Sequence, residues 1–218
     1  MSLTDPLLVL GGYVLGSMPW GYWLPRALTG VDIRTVGSGN TGATNVWRTF
    51  GFKLGLGVAL LDIGKGAAAA VLGLWLGDDL VAVLAGVAAM AGHWRPLFMG
   101  FARGGKIVAT TGGVALAVAL FPALAAAGTW IVVFLATRYA SVASILAAIS
   151  LPLYAALLRP SWPVLAFTSG AALAIVVLHR SNIRRLLAGT EHRIELRRRP
   201  RGSVFQAAPG TKRPSASP

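Results

Sequence analysis

Charged residues are so sparse in this chain that several stretches are long enough to cross a lipid bilayer. The longest uncharged run, Ile107–Thr137, would measure about 45 Å as a single helix. Because the hydrocarbon core of a bilayer is only about 30 Å thick, we predict two short helices that meet near Pro122, at the middle of the run. A soluble chain of 218 residues with a mean hydropathy of +0.67 could not bury so much apolar surface. The sequence therefore predicts an integral membrane protein.

Five further apolar runs complete the predicted set of spans. They are Pro6–Pro25, Leu54–Gly77, Leu80–Trp94, Tyr139–Leu158 and Pro160–Leu178. The predicted fold class is an all-α polytopic membrane protein with seven transmembrane helices, several of them short. The first run follows no basic region and precedes no clear cleavage site, so we interpret it as a retained helix and not a signal peptide.

Basic residues set the predicted orientation, because they concentrate in cytoplasmic loops. With a cytoplasmic C-terminus and the N-terminus outside, all of the 20 lysines and arginines except Lys65 and Arg159 fall on or near the cytoplasmic side. That side then carries the polar loops: residues 26–53, 95–106, 138–144 and 179–199.

The net charge of +13 can indicate nucleic-acid binding, but here the charges gather at the ends of spans and in the tail. This pattern is typical of a membrane surface, so we predict the lipid bilayer as a partner and no nucleic acid. Residues 1–196 are predicted to form the membrane domain, and residues 197–218 a basic, disordered cytoplasmic tail. The chain has no cysteine, which excludes disulfides and thiolate metal sites.

The first polar loop contains the stretch "GSGNTGATN", which runs from Gly37 to Asn45. Glycine-rich backbone can turn its N–H groups inward and form a nest for an oxyanion. It is not a Walker A loop, since no Gly-Lys-Ser/Thr follows. The alternative interpretation is a flexible hydrophilic turn. The candidate phosphate-binding residues are Ser38, Gly39, Asn40, Gly42, Thr44, Asn45 and Arg48.

The second polar loop places Lys106 directly after Gly104 and Gly105, just before a predicted helix. The free N–H groups and partial positive charge of a helix N-terminus favour an anion. A cluster that merely follows the positive-inside rule is the alternative, but it does not explain the two glycines. Within a predicted span, Asp62 and Lys65 share a helix face, and we interpret them as a structural ion pair. A role in orienting the first loop is the alternative interpretation.

The two remaining polar segments add Ser141, His179, Asn182 and Glu191. Close packing of helices is the alternative role for the small hydroxyl of Ser141, and a helix end capped by Gly189 is the alternative for the segment before Glu191. The chain's three histidines are not spaced as a metal site. We therefore predict neither a metal nor a cofactor.

Taken together, these segments resemble the bacterial acyl-phosphate:glycerol-3-phosphate acyltransferase family. The resemblance covers nearly the whole chain, from "GSMPWGYWLPRALTGVDIRTVGSGNTGATNVWRTFG" to "HRSNIRRLLAGTEHR". It implies a seven-span enzyme of the bacterial plasma (inner) membrane with a cytoplasmic active site. Such an enzyme transfers a fatty acyl group from acyl phosphate, and not from acyl-CoA, to the 1-hydroxyl of glycerol 3-phosphate. The products would be lysophosphatidic acid and inorganic phosphate, in the first step of phospholipid synthesis.

The resemblance also implies roles for the candidate residues and partners. Catalysis would rest on positioning and electrostatics, without an acyl-enzyme intermediate, and a substrate phosphate oxygen would take the proton of the attacking hydroxyl. A histidine base, His179 or His93, is the alternative. A soluble enzyme would supply acyl phosphate, and the protein is expected to be a monomer. The catalytic candidates are Lys106, His179, Asn182 and Glu191, and the substrate-binding candidates outside the first loop are His93, Gly104, Gly105, Lys106 and Ser141.

The stretch "FARGGKIVAT" departs from the family pattern, because Ala102 is an extra residue and Ile107 stands where glycine is usual. These changes concern the path of the loop more than the role of its lysine. Three other classes of protein compete with this interpretation. A His-x4-Asp acyltransferase is excluded, because no histidine is followed by aspartate five positions on. A transporter would show internal repeats, and a purely structural membrane protein would leave the composition of the first loop unexplained.

Overall fold

The structure, a computed structural model of the chain, describes residues 4–158 and 160–195. The predicted tail, residues 197–218, lies outside the described residues, as does Arg159. The described residues contain no strand and form ten α-helices, joined by short turns and by two longer loops, residues 30–42 and 95–107. The helices are α1 (Thr4–Gly16), α2 (Trp20–Thr29), α3 (Ala43–Phe50), α4 (Phe52–Leu76), α5 (Asp79–Trp94), α6 (Val108–Val118), α7 (Leu120–Thr137), α8 (Ala140–Leu157), α9 (Trp162–Leu178) and α10 (Arg180–Leu187).

The predicted class, an all-α polytopic membrane protein, is confirmed, but the count of seven spans is approximate. Among the described residues, four helices are long and apolar enough to cross a bilayer: α4, α5 with the turn that follows it, α7 and α8. The α9 and α10 helices, bent by 54° at their junction, make a fifth if they are one span. The α6 helix is apolar but short.

Two helix boundaries differ from the sequence prediction. The run Ile107–Thr137 is split as predicted, but the break lies at Ala119 and not at Pro122. Pro122 occupies the first turn of α7, where the missing N–H of proline leaves no hydrogen bond unmade. The first predicted span is also divided, because α1 ends at Gly16 and α2 begins after Pro19, and the residue before a proline is disfavoured in a helix.

Small residues let the helices approach closely. A β-carbon on Gly16 of α1 would overlap the backbone of Ala89 in α5, and one on Gly113 of α6 would overlap the carbonyl of Ile63 in α4. Such contacts are typical of membrane helix packing, where no water drives association and dispersion forces decide. The α1, α4, α5 and α6 helices are packed together in this way, and α7 and α8 pack against each other and α8 against α9.

The predicted ion pair of α4 is present. The Lys65 Nζ atom lies 2.8 Å from Asp62 Oδ1, and both side chains are buried. The same Nζ atom donates a hydrogen bond of 2.9 Å to the carbonyl oxygen of Met18. The pair therefore stabilises the junction between α1 and α2. Its polar contacts with Met18 and His93 lie outside residues 26–53, and a role in orienting the first loop stays a prediction.

Candidate active site

A cavity of about 390 Å³ lies where the four polar segments meet. Every predicted site residue lines it except Gly39, Gly104, Gly105 and Glu191. One part of the wall is polar and carries three cations, Arg48, Lys106 and Arg185. The rest is apolar and follows α6, α7, α8 and α9 into the helical bundle, with the lining residues Ala115, Ala123, Ala126, Ala147, Ala148, Leu151 and Ile175.

In the first loop, the side chain of Asn45 holds the backbone in place. Its Nδ2 atom donates to the carbonyl oxygens of Val36 (3.2 Å) and Asn40 (3.0 Å). Its Oδ1 atom accepts a bond of 3.0 Å from the Ser38 N–H. Gly37 has a positive φ of 60°, and a β-carbon there would overlap Asn45 Oδ1. The amide of Asn45 is therefore used within the loop, which it holds at the cavity wall.

Arg48 brings a charge from α3 to the polar wall. Its Nε atom is buried and finds no hydrogen-bond partner among the described residues. Burial lowers the pKa of the Arg48 guanidinium from its usual value, while the nearby Glu191 carboxylate acts in the opposite direction. A buried donor without a partner costs free energy, and an anion in the cavity would satisfy it.

The second loop packs against the end of α5. The N–H groups of Gly104 and Gly105 donate to the carbonyl oxygens of Trp94 (2.9 Å) and His93 (3.2 Å). These two N–H groups are therefore not free to form an anion nest. The backbone at Ile107, the residue before α6, is left-handed with a φ of 60°, a conformation that costs little for glycine and more for a β-branched residue. This left-handed backbone suits the glycine that the resemblance would place at that position.

Lys106 is the charged group that this loop presents to the cavity. Its Nζ atom donates a hydrogen bond to Asn182 Oδ1 of α10. Burial lowers the pKa of Lys106 to about 8, partly opposed by the attraction of Glu191. Because that value is still above neutrality, the ammonium remains charged at pH 7 and can bind an anion.

Glu191 organises the residues around Lys106 from outside the cavity wall. Its Oε1 atom accepts hydrogen bonds from Asn182 Nδ2 (2.7 Å) and Ser141 Oγ (2.9 Å). Its Oε2 atom accepts one from Arg185 Nε (2.7 Å). Burial acts to raise the pKa of Glu191, but the bonds from Asn182, Ser141 and Arg185 hold it below its usual value. The carboxylate is therefore ionised and orients three donors.

Glu191 belongs to a segment that follows α10 and packs across the turn between α7 and α8. Ile194 is 3% exposed, and its N–H donates to the carbonyl oxygen of Arg138 at 3.0 Å. Arg193 donates to the carbonyl oxygen of Thr137 at 3.3 Å. Arg138 thus supplies a backbone acceptor at a helix end, where its own φ is 65°.

Two predicted histidines line the cavity with different partners. The Nδ1 atom of His179 lies 2.8 Å from the carbonyl oxygen of Ile175. A carbonyl can only accept, so Nδ1 is the donor, which leaves Nε2 as an acceptor. The Nδ1 atom of His93 lies 3.4 Å from Asp62 Oδ1, so His93 is oriented by the buried ion pair of α4.

Arg185, Asp62 and Thr111 are polar residues of the cavity wall that the sequence does not predict as site residues. Arg185 lies one helical turn after Asn182, a spacing that the sequence did display. For Asp62, the sequence predicts an ion pair with Lys65 and, as the alternative, a role in orienting the first loop. Thr111 is buried, and its hydroxyl has no hydrogen-bond partner within residues 4–158 and 160–195. In those residues no group of three or more His, Cys, Asp or Glu side chains could hold a metal ion.

The helices and the cavity together define a class: an integral membrane protein with a cation-rich cavity wall beside an apolar chamber. The model of the glycerol-3-phosphate acyltransferase family matches residues 6–189, and the chain belongs to that family. A glycerol-3-phosphate acyltransferase of Synechococcus sp. (strain JA-3-3Ab) is 47% identical over 192 residues, which cover 88% of this chain and 94% of the relative. One from Desulforamulus reducens is 44% identical over 195 residues, 89% of this chain and 97% of the relative.

Two solved structures are similar along the same part of the chain. One is the integral membrane glycerol 3-phosphate acyltransferase PlsY in its glycerol 3-phosphate form, with a TM-score of 0.84 and 41% identity over 88% of this chain and 96% of that one. The other is the lysophosphatidic acid form of PlsY, with a TM-score of 0.82 and 40% identity over the same shares. These likenesses confirm the family that the sequence motifs indicated.

Proposed function

We propose that the chain transfers a fatty acyl group from acyl phosphate to the 1-hydroxyl of glycerol 3-phosphate. The observation that carries this proposal is the cavity itself, which joins a wall of three cations to an apolar chamber among the helices. A substrate with a phosphate at one end and a long alkyl chain at the other is complementary to that combination. The family relationship supports the acceptor, since the names of its members specify glycerol 3-phosphate.

The cations supply sites for the two phosphates that the reaction brings together. Lys106 and Arg48 come from different loops, and Arg48 retains an unpartnered buried Nε atom. In our proposal, Ser38, Asn40, Thr44 and Lys106 hold acyl phosphate. Glycerol 3-phosphate is held by Arg48, His179 and Asn182 and again by Lys106, which lies between the two phosphates. Charge-assisted hydrogen bonds in a partly dry site are the strongest that proteins make to phosphate.

Asn45 and the pair Gly104–Gly105 act differently in this proposal. Their polar groups are used within the protein, so they shape the loops instead of donating to substrate. Ser141 and Glu191 likewise act through Asn182. A direct contact with substrate remains the prediction for His93, which lines the cavity.

The reaction needs no acyl-enzyme intermediate. The hydroxyl oxygen attacks the acyl carbonyl carbon, a C–O ester bond forms, and the bond from that carbon to the phosphate oxygen breaks, so that inorganic phosphate leaves with the electron pair. The hydroxyl proton goes to a phosphate oxygen. The acceptor Nε2 atom of His179 would orient the hydroxyl, and a general-base role for that atom is the alternative. Lys106 stabilises the charge on the leaving phosphate.

We further propose on which side of the membrane the reaction takes place. The polar loops meet at one end of the helices, and the distribution of basic residues supports a cytoplasmic position for that end in the bacterial inner membrane, with the N-terminus outside. Acyl phosphate from a soluble enzyme would then reach the site directly. We propose a monomer that uses no metal and no cofactor.

The test is an assay of the purified protein in lipid with labelled glycerol 3-phosphate, in which acyl phosphate and acyl-CoA are offered separately. We expect labelled lysophosphatidic acid from acyl phosphate alone. Product from acyl-CoA only would overturn the donor, and no product from either would overturn the activity. Addition of a metal chelator should leave the rate unchanged.

A further inference from the structure

A buried chain of polar contacts leads from the junction of α1 and α2 through α4 to the end of α5. Lys65 contacts the Met18 carbonyl oxygen at 2.9 Å and Asp62 Oδ1 at 2.8 Å. The same Oδ1 atom lies 3.4 Å from His93 Nδ1. Asp62, Lys65 and His93 are each less than 10% exposed. The imidazole ring of His93 is thus held from one edge by charged groups that are themselves fixed.

The opposite edge of that ring lies against the second loop. A β-carbon placed on Gly105 would overlap Nε2, Cε1 and Cδ2 of His93. One placed on Gly104 would overlap the backbone oxygen of His93 and press on the ring of Pro96. With both N–H groups donating to α5, the two glycines lie directly on the α5 terminus, and Lys106 is the next residue.

We infer that His93 is a positioning residue, which sets the approach of the Gly104–Gly105 backbone and thereby the place of Lys106 in the cavity. Asp62 fixes the ring, and the ring forms the wall on which the loop rests. The inference rests on the proposed function, because it gives the reason why Lys106 is held at a phosphate site. It also explains why two adjacent glycines precede the lysine: a side chain at either position would push the loop away from α5.

Steric coupling between residues 93 and 105 tests this inference. His93→Asn removes the three ring atoms that a Gly105 side chain would meet, while the asparagine amide keeps a donor near the place of Nδ1, facing Asp62. Gly105→Ala is then compared in two backgrounds, native and His93→Asn. The measured quantities are kcat and KM for glycerol 3-phosphate and the folded fraction on size exclusion.

In the native background, we expect Gly105→Ala to lower kcat/KM by about tenfold or more, the usual cost of overpacking. In the His93→Asn background, the same change should lower kcat/KM by less than about threefold, because the ring atoms that the alanine side chain would meet have been removed. Equal costs in both backgrounds would overturn the inference. Failure of Gly105→Ala to fold in both backgrounds would overturn it too, and folding only with His93→Asn would support it.

A second variant separates positioning from proton transfer. His93→Gln places an amide near the position of Nε2 and so keeps part of the surface on which Gly105 rests. It has no donor at the Nδ1 position, so the contact with Asp62 is lost. We expect a higher KM for glycerol 3-phosphate with kcat changed by less than about fivefold. A loss of kcat by several orders of magnitude with KM unchanged would make His93 a base and overturn the positioning role.

The control and a binding measurement keep this test distinct from that of the proposed function. Gly64→Ala on the exposed side of α4 meets nothing within 4 Å and should leave kcat/KM unchanged in both backgrounds. The same cycle is repeated by calorimetry with glycerol 3-phosphate as the probe. If no acyl donor gives turnover, the activity fails, but coupling in the binding cycle would still uphold the role of His93.

Discussion

The two glycine-rich loops look alike in the sequence and are built in different ways. The first loop is stabilised from within, because the Asn45 amide bonds to the backbone at Val36, Ser38 and Asn40. The second loop is stabilised from outside, because its glycine N–H groups bond to the end of α5. In both loops the glycines permit close backbone approach, and the charge at the cavity wall comes from the side chains of Arg48 and Lys106.

This difference separates two consequences of mutation. Mutations in the first loop should lower both the stability and the activity, because the Asn45 side chain holds the backbone of the loop in place. In the second loop, the side chain of Lys106 contributes to the cavity more than to the fold, so activity should fall alone.

Replacement of Lys106 by alanine should lower kcat/KM by roughly 1,000-fold, because a charged donor to the transferring or leaving phosphate is lost. The melting temperature should stay within a few degrees of the native value. Lys53→Ala, at an exposed position of α4, removes the same charge and serves as the matched control. Near-native turnover of Lys106→Ala would refute the phosphate role.

Replacement of Asn45 by alanine should lower kcat/KM by roughly 100-fold, since a shift of the loop of about 1 Å misplaces its donors. The same variant should melt about 5 to 10 °C lower, because buried backbone groups lose their partners. Activity lost with an unchanged melting temperature would make Asn45 a direct substrate ligand, as the sequence pattern alone suggested.

The pH dependence should report Lys106. The pKa of about 8 means that the ammonium is charged below that pH and loses its proton as the pH rises through it. We therefore expect kcat/KM to fall above pH 8, by up to about tenfold per pH unit. Lys106→Arg should remove this fall, whatever its absolute rate, because arginine stays charged. A profile that is flat to pH 9.5 in the native protein would contradict the assignment.

Replacement of Ser141 by alanine should have the smallest effect, about fivefold in kcat/KM, since Glu191 loses one of its three hydrogen bonds. Because the change acts through Asn182, which contacts Lys106, we expect it to affect the second loop and not the first. Its cost should vanish when Asn182 is already replaced by alanine, and equal costs in both backgrounds would break this link.

Much of this arrangement follows from the sequence. The uncharged runs and the distribution of basic residues gave the all-helical membrane class, and the motifs gave the family. Their polar residues do meet in one cavity, because each pair of consecutive helices (α4 and α5, α6 and α7, α8 and α9) returns the chain to the same end. Helix breaks were less predictable. The sequence predicts a helix break at Pro122, but the structure places Pro122 in the first turn of α7, where proline is tolerated.

The internal contacts of the loops could not be predicted from the sequence. The side chains of Asn45 and Thr44 are both polar, and only the three-dimensional path of residues 33–45 decides which one turns into the loop. Gly104 and Gly105 matched an anion nest in composition, yet their conformation depends on α5, which the motif does not contain. The contact of Asp62 with His93 joins two spans and leaves no local pattern.

The position of Glu191 along the chain has a consequence for biosynthesis. Ribosomes make the helices in order, and all ten described helices precede the segment that carries this carboxylate. Until that segment packs over the turn between α7 and α8, Asn182 and Arg185 lack the group that orients them. A nascent chain therefore lacks an oriented Asn182 and Arg185 until all ten described helices have been made and the segment that carries Glu191 has packed over them.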